Sequence, residues 1–436
     1  MKRLALIVSA IAMTATAAHA QDATEFKNGG EFRIRYENFF AKSGMENSKN
    51  EQHEDARLKW DMNIRKGEKL QAHVSLLHNA RFGGASPDGN FDMGGSSQAQ
   101  YSPAANNGLV VNRAWGWWRA SDMVSFKVGR FGIEFADGAV FSENDWQNTP
   151  FANEGIDIAI DSSVATFNVY GIKQAENAAV VGNSDPENNF YMVTADLKNM
   201  PSAIKMANIH LIDVVRDNTG TGSANWQHLG LTVGGDVAGF MYKATGAFQF
   251  GSFLKPDVGT EQKLSTNMFD LMVGYGMPET MGLKVSAGYH MDTGDDSATG
   301  DKKTYQTLNY DRHNYAGLMD VVQWGNLSYF NVNASIMPME DLEAGLGFYM
   351  FSKTKSAGAT IGGRGFTGNG AGTALTTTSD SSLGSEVDLF ANKSYGPDLK
   401  IGARYSMFMP GDALKNTATK QEKMAHEGYL QASITF

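Results

Sequence analysis

The sequence predicts an all-β protein, a transmembrane antiparallel up-and-down β-barrel of about 18 strands. Three observations predict it. The last residues, Gly428 to Phe436 (GYLQASITF), alternate strictly: Gly428, Leu430, Ala432, Ile434 and Phe436 share one face, while Tyr429, Gln431, Ser433 and Thr435 share the other. The first residues have the form of an export signal. Between them, amphipathic segments alternate with short turns on one side and long polar loops on the other, and strands of about 9–11 residues match a tilted crossing of the hydrocarbon layer.

The opening, MKRLALIVSAIAMTATAAHA, starts with Lys2 and Arg3, continues with an apolar core from Leu4, and ends in small residues at Ala18-His19-Ala20. That is a secretory signal peptide with an A-x-A cleavage site. Residues 1–20 are therefore expected to be removed, leaving one barrel domain over 21–436 that begins at Gln21. The apolar core is too short to span a bilayer, and no later stretch reaches about 18 uncharged apolar residues.

The 436 residues include 48 Gly, 10 Pro and 0 Cys, so the exported chain has no disulfide framework. A mean hydropathy of -0.33 is compatible with a barrel, because lipid-facing and lumen-facing residues cancel in the average. The net charge of -10 becomes -12 when Lys2 and Arg3 leave with the signal, and that acidity argues against a nucleic-acid partner.

The first strand is Glu31–Phe39, with Phe32, Ile34 and Tyr36 opposite Arg33, Arg35 and Glu37. Ala56–Arg65 follows: Leu58, Trp60, Met62 and Ile64 face out, and Arg57, Lys59, Asp61, Asn63 and Arg65 face in. A turn at Lys66-Gly67-Glu68 leads to LQAHVSLL and then to a Gly-, Ser- and Asn-rich loop. Hairpins continue: Val110–Ala120 with Met123–Arg130, Gly155–Ile160 with Val164–Gly171, Phe190–Leu197 with Ile204–Val214. Next come His228–Val233 with Phe240–Phe250 around Gly235-Asp236, and Met268–Tyr275 with Leu283–His290. Trp324–Ile336 with Leu342–Phe351, then Val387–Ala391 with Leu399–Phe408, precede the closing strand. An even strand number puts both ends on one side, with short turns periplasmic and long loops extracellular. Outward aromatics such as Tyr36, Trp60, Trp118, Tyr275, Tyr289, Tyr405 and Phe436 suit interfacial girdles, although aromatics favour strands in any case.

Strand phase places many charges in the lumen. The basic set is Arg33, Arg35, Arg57, Lys59 and Arg65 near the start, Arg113, Arg119, Lys127 and Arg130 in the next hairpin, and Lys243, Lys284, Lys400 and Arg404 later. The phase of Arg130 depends on whether Gly129 forms a bulge. The acidic set is Glu37, Asp61, Asp157, Asp196, Asp270, Glu343, Glu386 and Asp388. The chain is acidic overall, yet these interiors are net basic. Rings of Arg and Lys suit an anion-passing pore, and the planar Arg fork suits carboxylates. The other reading is a wall braced by Arg–carboxylate pairs; both can hold together.

Several segments resemble the alginate-export type of bacterial outer-membrane porin. They are VGRFGIEFADGAVFSENDWQNTPF (Val128–Phe151), in which Phe131 and Ala136 stand where the family has Gln and Gly, YHMDTGD (Tyr289–Asp295), YDRHNYAGLMDVV (Tyr310–Val322), LGSEVDLF (Leu383–Phe390) and SMFMPGD (Ser406–Asp412). With FRIRYENF near the start, they run in order over most of the chain. The resemblance implies an 18-stranded channel in the outer membrane of a Gram-negative cell. It does not fix alginate as the solute.

Catalytic patterns are missing: the chain has no H-E-x-x-H, G-x-S-x-G or Walker A. Gly363-Arg364-Gly365-Phe366-Thr367-Gly368 fits G-x-G-x-x-G by letters, but it lacks the strand–helix context of a dinucleotide site. No enzyme activity and no cofactor are expected. Asp292, Asp295, Asp296 and Asp301 crowd one loop, read either as solvated turn residues or as oxygen ligands for calcium.

The expected function is passive passage of small hydrophilic, preferentially anionic solutes, uronate-rich saccharides among the candidates. The loops Asp292–Val321 and Lys353–Leu383 are expected to narrow the path. The alternative is a surface scaffold or adhesin whose loops carry the interaction. Expected partners are outer-membrane lipid, the solute, and the assembly machinery that reads Leu430, Ala432, Ile434 and Phe436; oligomeric state is left open.

Overall fold

The computed structural model describes residues 24–41, 51–82, 109–176, 187–217, 223–255, 260–296, 300–357, 360–361, 374–375, 379–415 and 424–436. The signal segment and the Gly363–Gly368 stretch lie outside them.

The wall is one 18-stranded sheet. Its strands are β1 (Thr24–Ala41), β2 (Glu51–Lys66), β3 (Leu70–Phe82), β4 (Leu109–Arg119), β5 (Val124–Phe131), β6 (Asn153–Asp161), β7 (Ala165–Glu176), β8 (Glu187–Leu197) and β9 (Ile204–Asp217). They continue as β10 (Ala224–Val237), β11 (Phe240–Lys255), β12 (Thr260–Met277), β13 (Leu283–Asp292), β14 (Leu327–Met339) and β15 (Leu342–Lys353). A small ribbon, β16 (Thr360–Ile361) with β17 (Ala374–Leu375), stands apart before β18 (Ser382–Tyr395), β19 (Leu399–Pro410) and β20 (Ala425–Thr435) complete the wall. Each wall strand pairs antiparallel with its neighbour, and β15 pairs with β18. Pairing of β1 with β20, with Phe32 opposite Ile434 and Arg33 opposite Ser433, closes the barrel.

Closure is what a strand needs in hydrocarbon, where an unpaired N–H or C=O has no water to turn to. The outer face is a field of exposed apolar side chains: Ile34, Leu58, Val128, Leu231, Val273, Leu389 and Leu430 among them. Such a surface is stable only against lipid. No described helix is long and apolar enough to cross a membrane; the crossings are strands.

Several strand limits differ from the periodic pattern. The ladder of β1 with β2 starts at Thr24, not Glu31, because pairing extends past the apolar band. β10 runs on to Val237 and turns at Ala238-Gly239, both at positive φ, rather than at Gly235-Asp236. β14 starts at Leu327, not Trp324, because Trp324 is drawn into the preceding loop, stacked on Tyr310 and His290 at 4.3 and 4.2 Å.

Two inward loops narrow the lumen. The first inward loop, residues 132–152, and the second, described over 293–296 and 300–326, carry a buried cluster that includes Phe135, Phe141, Tyr310, Met319 and Trp324. The two loops bond to each other: Ser142 N–H donates to Asn309 O at 2.7 Å and Asp311 N–H to Gly138 O at 2.8 Å.

Candidate functional site

The path through the barrel is set by what grips these loops. On one side stand Arg33 and Arg35 of β1, Arg57 of β2 and Arg404 of β19, each 5% exposed or less. Alternation of β1 points Arg33 and Arg35 inward, and register places Arg33 opposite Arg57. Arg33 donates to the carbonyls of Asp145, Trp146 and Gln147 at 3.0, 3.2 and 3.0 Å, and to Asn148 Oδ1 at 3.1 Å. Arg35 donates to Trp146 O at 3.0 Å and Gln431 Oε1 at 2.9 Å. Arg57 donates to Asp145 O and Gln147 O, pairs with the Asp145 carboxylate at 3.1 Å, and also pairs with Glu31. Three guanidinium groups thus hold the tip of the first loop against the wall, mostly by its main chain.

Stacking extends the contact. The Arg35 guanidinium lies 3.6 Å above the Trp146 ring, which also stacks on His313 of the second loop, parallel at 3.7 Å. Arg404 donates to His313 Nε2 at 3.0 Å and to Glu427 Oε2 at 3.0 Å, and lies over Tyr429 at 4.4 Å. Since His313 Nε2 accepts, its hydrogen sits on Nδ1, facing Asp320 at 3.2 Å. Burial lowers His313 to about 4, with Arg404 and Arg35 adding to the effect against the pull of Asp320. Burial would raise Asp145, but Arg57, Lys59 and Arg33 outweigh it and hold its carboxyl below the ordinary range. Partial burial, with Asp320 and Glu134 adding to it, pushes Asp311 up to about 6 although it caps the helix Arg312–Tyr315 by accepting from Asn314 N–H.

The second loop is also fixed by β13 and by β18, the neighbour of β19. Asp292 accepts from Gly325 N–H and Leu327 N–H at 2.8 and 2.9 Å, while His290 lies between Asp270 and Asp292 at 3.2 and 3.1 Å. Glu386 accepts from Met319 N–H at 2.9 Å. Gly317 makes that approach possible: at its φ of +84° a Cβ would fall 2.6 Å from Glu386. Asp292 is therefore occupied by main chain, Asp295 by Lys303 N–H and Asp301 by Lys263 N–H, so these acids do not converge on a calcium cradle. Asp296 faces Lys355 at 4.0 Å, and among the described residues no group of three or more acids or histidines could hold a metal.

The other charges singled out in the sequence fall as follows. Lys59 approaches Asp145 at 3.8 Å, Arg113 pairs with Glu143 at 2.6 Å, and Lys127 with Asp157 at 3.6 Å. Lys243 binds Asp137 at 2.5 Å and the Tyr315 hydroxyl at 3.0 Å. Asp61 meets His73 at 3.6 Å, Asp196 accepts from Asn208 and Asp388 from Ser406. Glu37 is buried on the face of Arg35, and Glu343 is on the lumen face of β15. Arg65 is exposed near the turn rim and donates to Gly67 O; Arg119 is half-buried at the same end of β4. Lys284 and Lys400 are lumen-facing and exposed. Lys284 borders a recess of about 280 Å³ with Asn333, Tyr349 and Leu318. Arg130 differs from the inward placement: it shares the outer face with Val128 and pairs with Glu154, because Gly129 keeps the alternation of β5 in register. Leu430, Ile434 and Phe436 are exposed on the outer face with Ala432 between them.

Sequence reasoning missed Glu31, Asp145, Trp146, His313 and the first loop as a constriction. The signal available was a Trp in a loop otherwise rich in Asn and acids, facing an Arg-rich strand pair.

A family model described as alginate export matches residues 25–426. No curated protein matches. Among solved structures, the outer membrane protein OpdK from Pseudomonas aeruginosa superposes with a TM-score of 0.60 at 11% identity, over 94% of this chain and 98% of that one. OccK9 (OpdG) of the same organism gives 0.60 at 13%, over 94% and 98%, and OccK11 (OpdR) gives 0.58 at 12%, over 94% and 96%. At these identities the likeness is one of fold.

Proposed function

Because this chain belongs to the alginate export family, we propose that its barrel, an outer-membrane porin, is a passive channel favouring small hydrophilic anions, uronate-bearing saccharides among them. The observation that carries the preference is where Arg33 and Arg35 donate. They donate to main-chain carbonyls and side-chain amides, which orient the guanidinium groups, while Glu31 and Asp145 act electrostatically on Arg33 and Glu37 and Asp55 on Arg35. Glu37 and Asp55 share that wall, and Glu31 and Asp145 engage Arg57, so with Lys59 counted four cations face four carboxylates and the preference they offer is modest. Lys284 and Lys400 extend it toward the turn rim. A carboxylate on each saccharide ring would move between such cations while its hydroxyls meet the Asn, Ser and Tyr groups of the wall.

The test is the reversal potential across a salt gradient in a planar bilayer. At low salt its sign should report anion preference, fading near 1 M where the Debye length is about 3 Å. Replacing Lys284 and Lys400 together by Glu should move it toward cations with the barrel intact. Cation preference of the unaltered protein at low salt would end the anion reading. A folded barrel with no conductance would favour the surface-scaffold reading instead.

A further inference from the structure

Behind the inward loops, six polar side chains form one line of hydrogen bonds across five neighbouring strands, β8 to β12. Its direction can be read from both ends. Asn208 Nδ2 donates to Asp196 Oδ1 at 2.6 Å, so Asn208 Oδ1 is free to accept from His210 Nδ1 at 3.0 Å. At the far end, Thr266 Oγ1 and Gln306 N–H both donate to Gln249 Oε1, at 2.7 and 2.9 Å. That fixes the Gln249 amide, whose Nε2 then donates to Gln306 O at 2.7 Å and to His228 Nδ1 at 3.2 Å. His228 must carry its hydrogen on Nε2, and His210 has a bare Nε2 3.2 Å away to accept it. The two tautomers, deduced independently, agree. The rings meet only because β10 has glycine at 230, where a Cβ would fall 2.1 Å from His210 Nε2.

We propose that this line is a proton-operated anchor for the second inward loop. A proton added to either ring has no acceptor. On His228 Nδ1 it would point at Gln249 Nε2–H; on His210 Nε2 it would point at His228 Nε2–H. In the second case His228 escapes by moving its own hydrogen to Nδ1, which restores the first conflict. Both routes end at Gln249, whose amide must turn over. Turning it sets Oε1 against Gln306 O and the amine against Gln306 N–H, so both bonds to the loop are lost together. The loop keeps its other holds, Asp292 on Gly325 and Leu327 and Glu386 on Met319, and so loosens at one end.

Among the described residues, no carboxylate pairs with either ring. The first loop presents Phe135 to His210 at 5.3 Å, and the second presents Tyr305 to His228 at 6.2 Å. β11 and β12 contribute Gln249 and Thr266, neither of which titrates, and β10 contributes Gly230. Asp196 of β8 is separated by Asn208, and Asp292 acts on Tyr305. Acid should therefore break the line instead of strengthening it.

The chain has 0 Cys, so one introduced thiol reports on the loop. In the full-length protein reconstituted in lipid, Leu308→Cys would be reacted with a maleimide between pH 7.5 and 4.5. Its rate would be divided by that of Gly396→Cys in an open turn, which removes the intrinsic pH dependence of the thiol. The ratio should rise at least tenfold on acidification and return on neutralisation. With His210→Asn and His228→Gln together it should stay flat. With Gln249→Leu it should already be high at pH 7.5. A flat ratio without these substitutions, or an acid rise that survives in the folded double variant, would overturn the proposal. Should the double variant fail to assemble, a low ratio for Gln249→Leu at pH 7.5 would overturn it and a high one would sustain it.

Discussion

Replacing Arg57 by Met tests whether the wall pins the first loop. Methionine keeps the apolar stem and removes the fork. The loss comprises two carbonyl bonds, at 3.0 and 2.9 Å, the pair with Asp145 and the pair with Glu31. Breaking a buried ion pair on one side costs about 3–5 kcal/mol. Here the Asp145 side chain is 51% exposed and water can reach it, so its share is discounted. Two carbonyl bonds at roughly 1 kcal/mol each, with a partly solvated Glu31 left behind, give about 2–3 kcal/mol. At about 1.4 kcal/mol per decade, the released state of the tip gains a factor of about 30–150. Arg33 still holds the same carbonyls, so the tip flickers rather than leaves. Single-channel recording should show more open-channel noise and a higher mean conductance. Arg130→Met, on the outer face, is the control and should change neither. Unaltered noise and conductance in a correctly assembled Arg57→Met barrel would refute the pinning.

Three further outcomes are expected. Asp311 is held at about 6 by burial, above an ordinary carboxyl, so the folded loop keeps a proton that an unfolded one releases. Protection of the 309–316 amides, corrected for intrinsic exchange, should fall as pH rises toward 6, by up to about tenfold per unit, and Asp311→Asn should flatten the curve. Deleting Phe436 removes its two main-chain bonds to Gly30, worth about 1–3 kcal/mol together, and should lower the heat-modifiable barrel recovered from the outer membrane; equal recovery would show that the assembly machinery does not read it. Mass spectrometry of the envelope protein should give Gln21 as first residue, and a retained Met1 would contradict cleavage.

The wall was legible because period two is a local property. Gly428–Phe436 alternates whatever surrounds it, and in the structure it pairs with β1 and exposes Leu430 and Ile434. Lumen phase could be read in the same way for Arg33, Arg57 or Asp388. What each charge does once inside could not, because that depends on loops without periodicity. Nothing local says that Asp145-Trp146-Gln147 returns to β1, or that Trp324 belongs to a stack with Tyr310 and not to β14. Arg130 shows the limit of phase itself: one glycine with positive φ leaves the face undecided until register is known.

The manner in which Arg33, Arg35 and Arg57 hold the first loop bears on how this channel can change over generations. Carbonyl oxygens at 145, 146 and 147 are present whatever side chains stand there. Mutational drift at the tip can therefore alter the chemistry offered to a passing solute while these main-chain bonds to the wall remain. The arginines carry the opposite constraint, since no other residue type supplies so many donors in one plane. Variation is thereby channelled to the loop and away from the strand, and a new solute preference can be sampled without first destabilising the barrel.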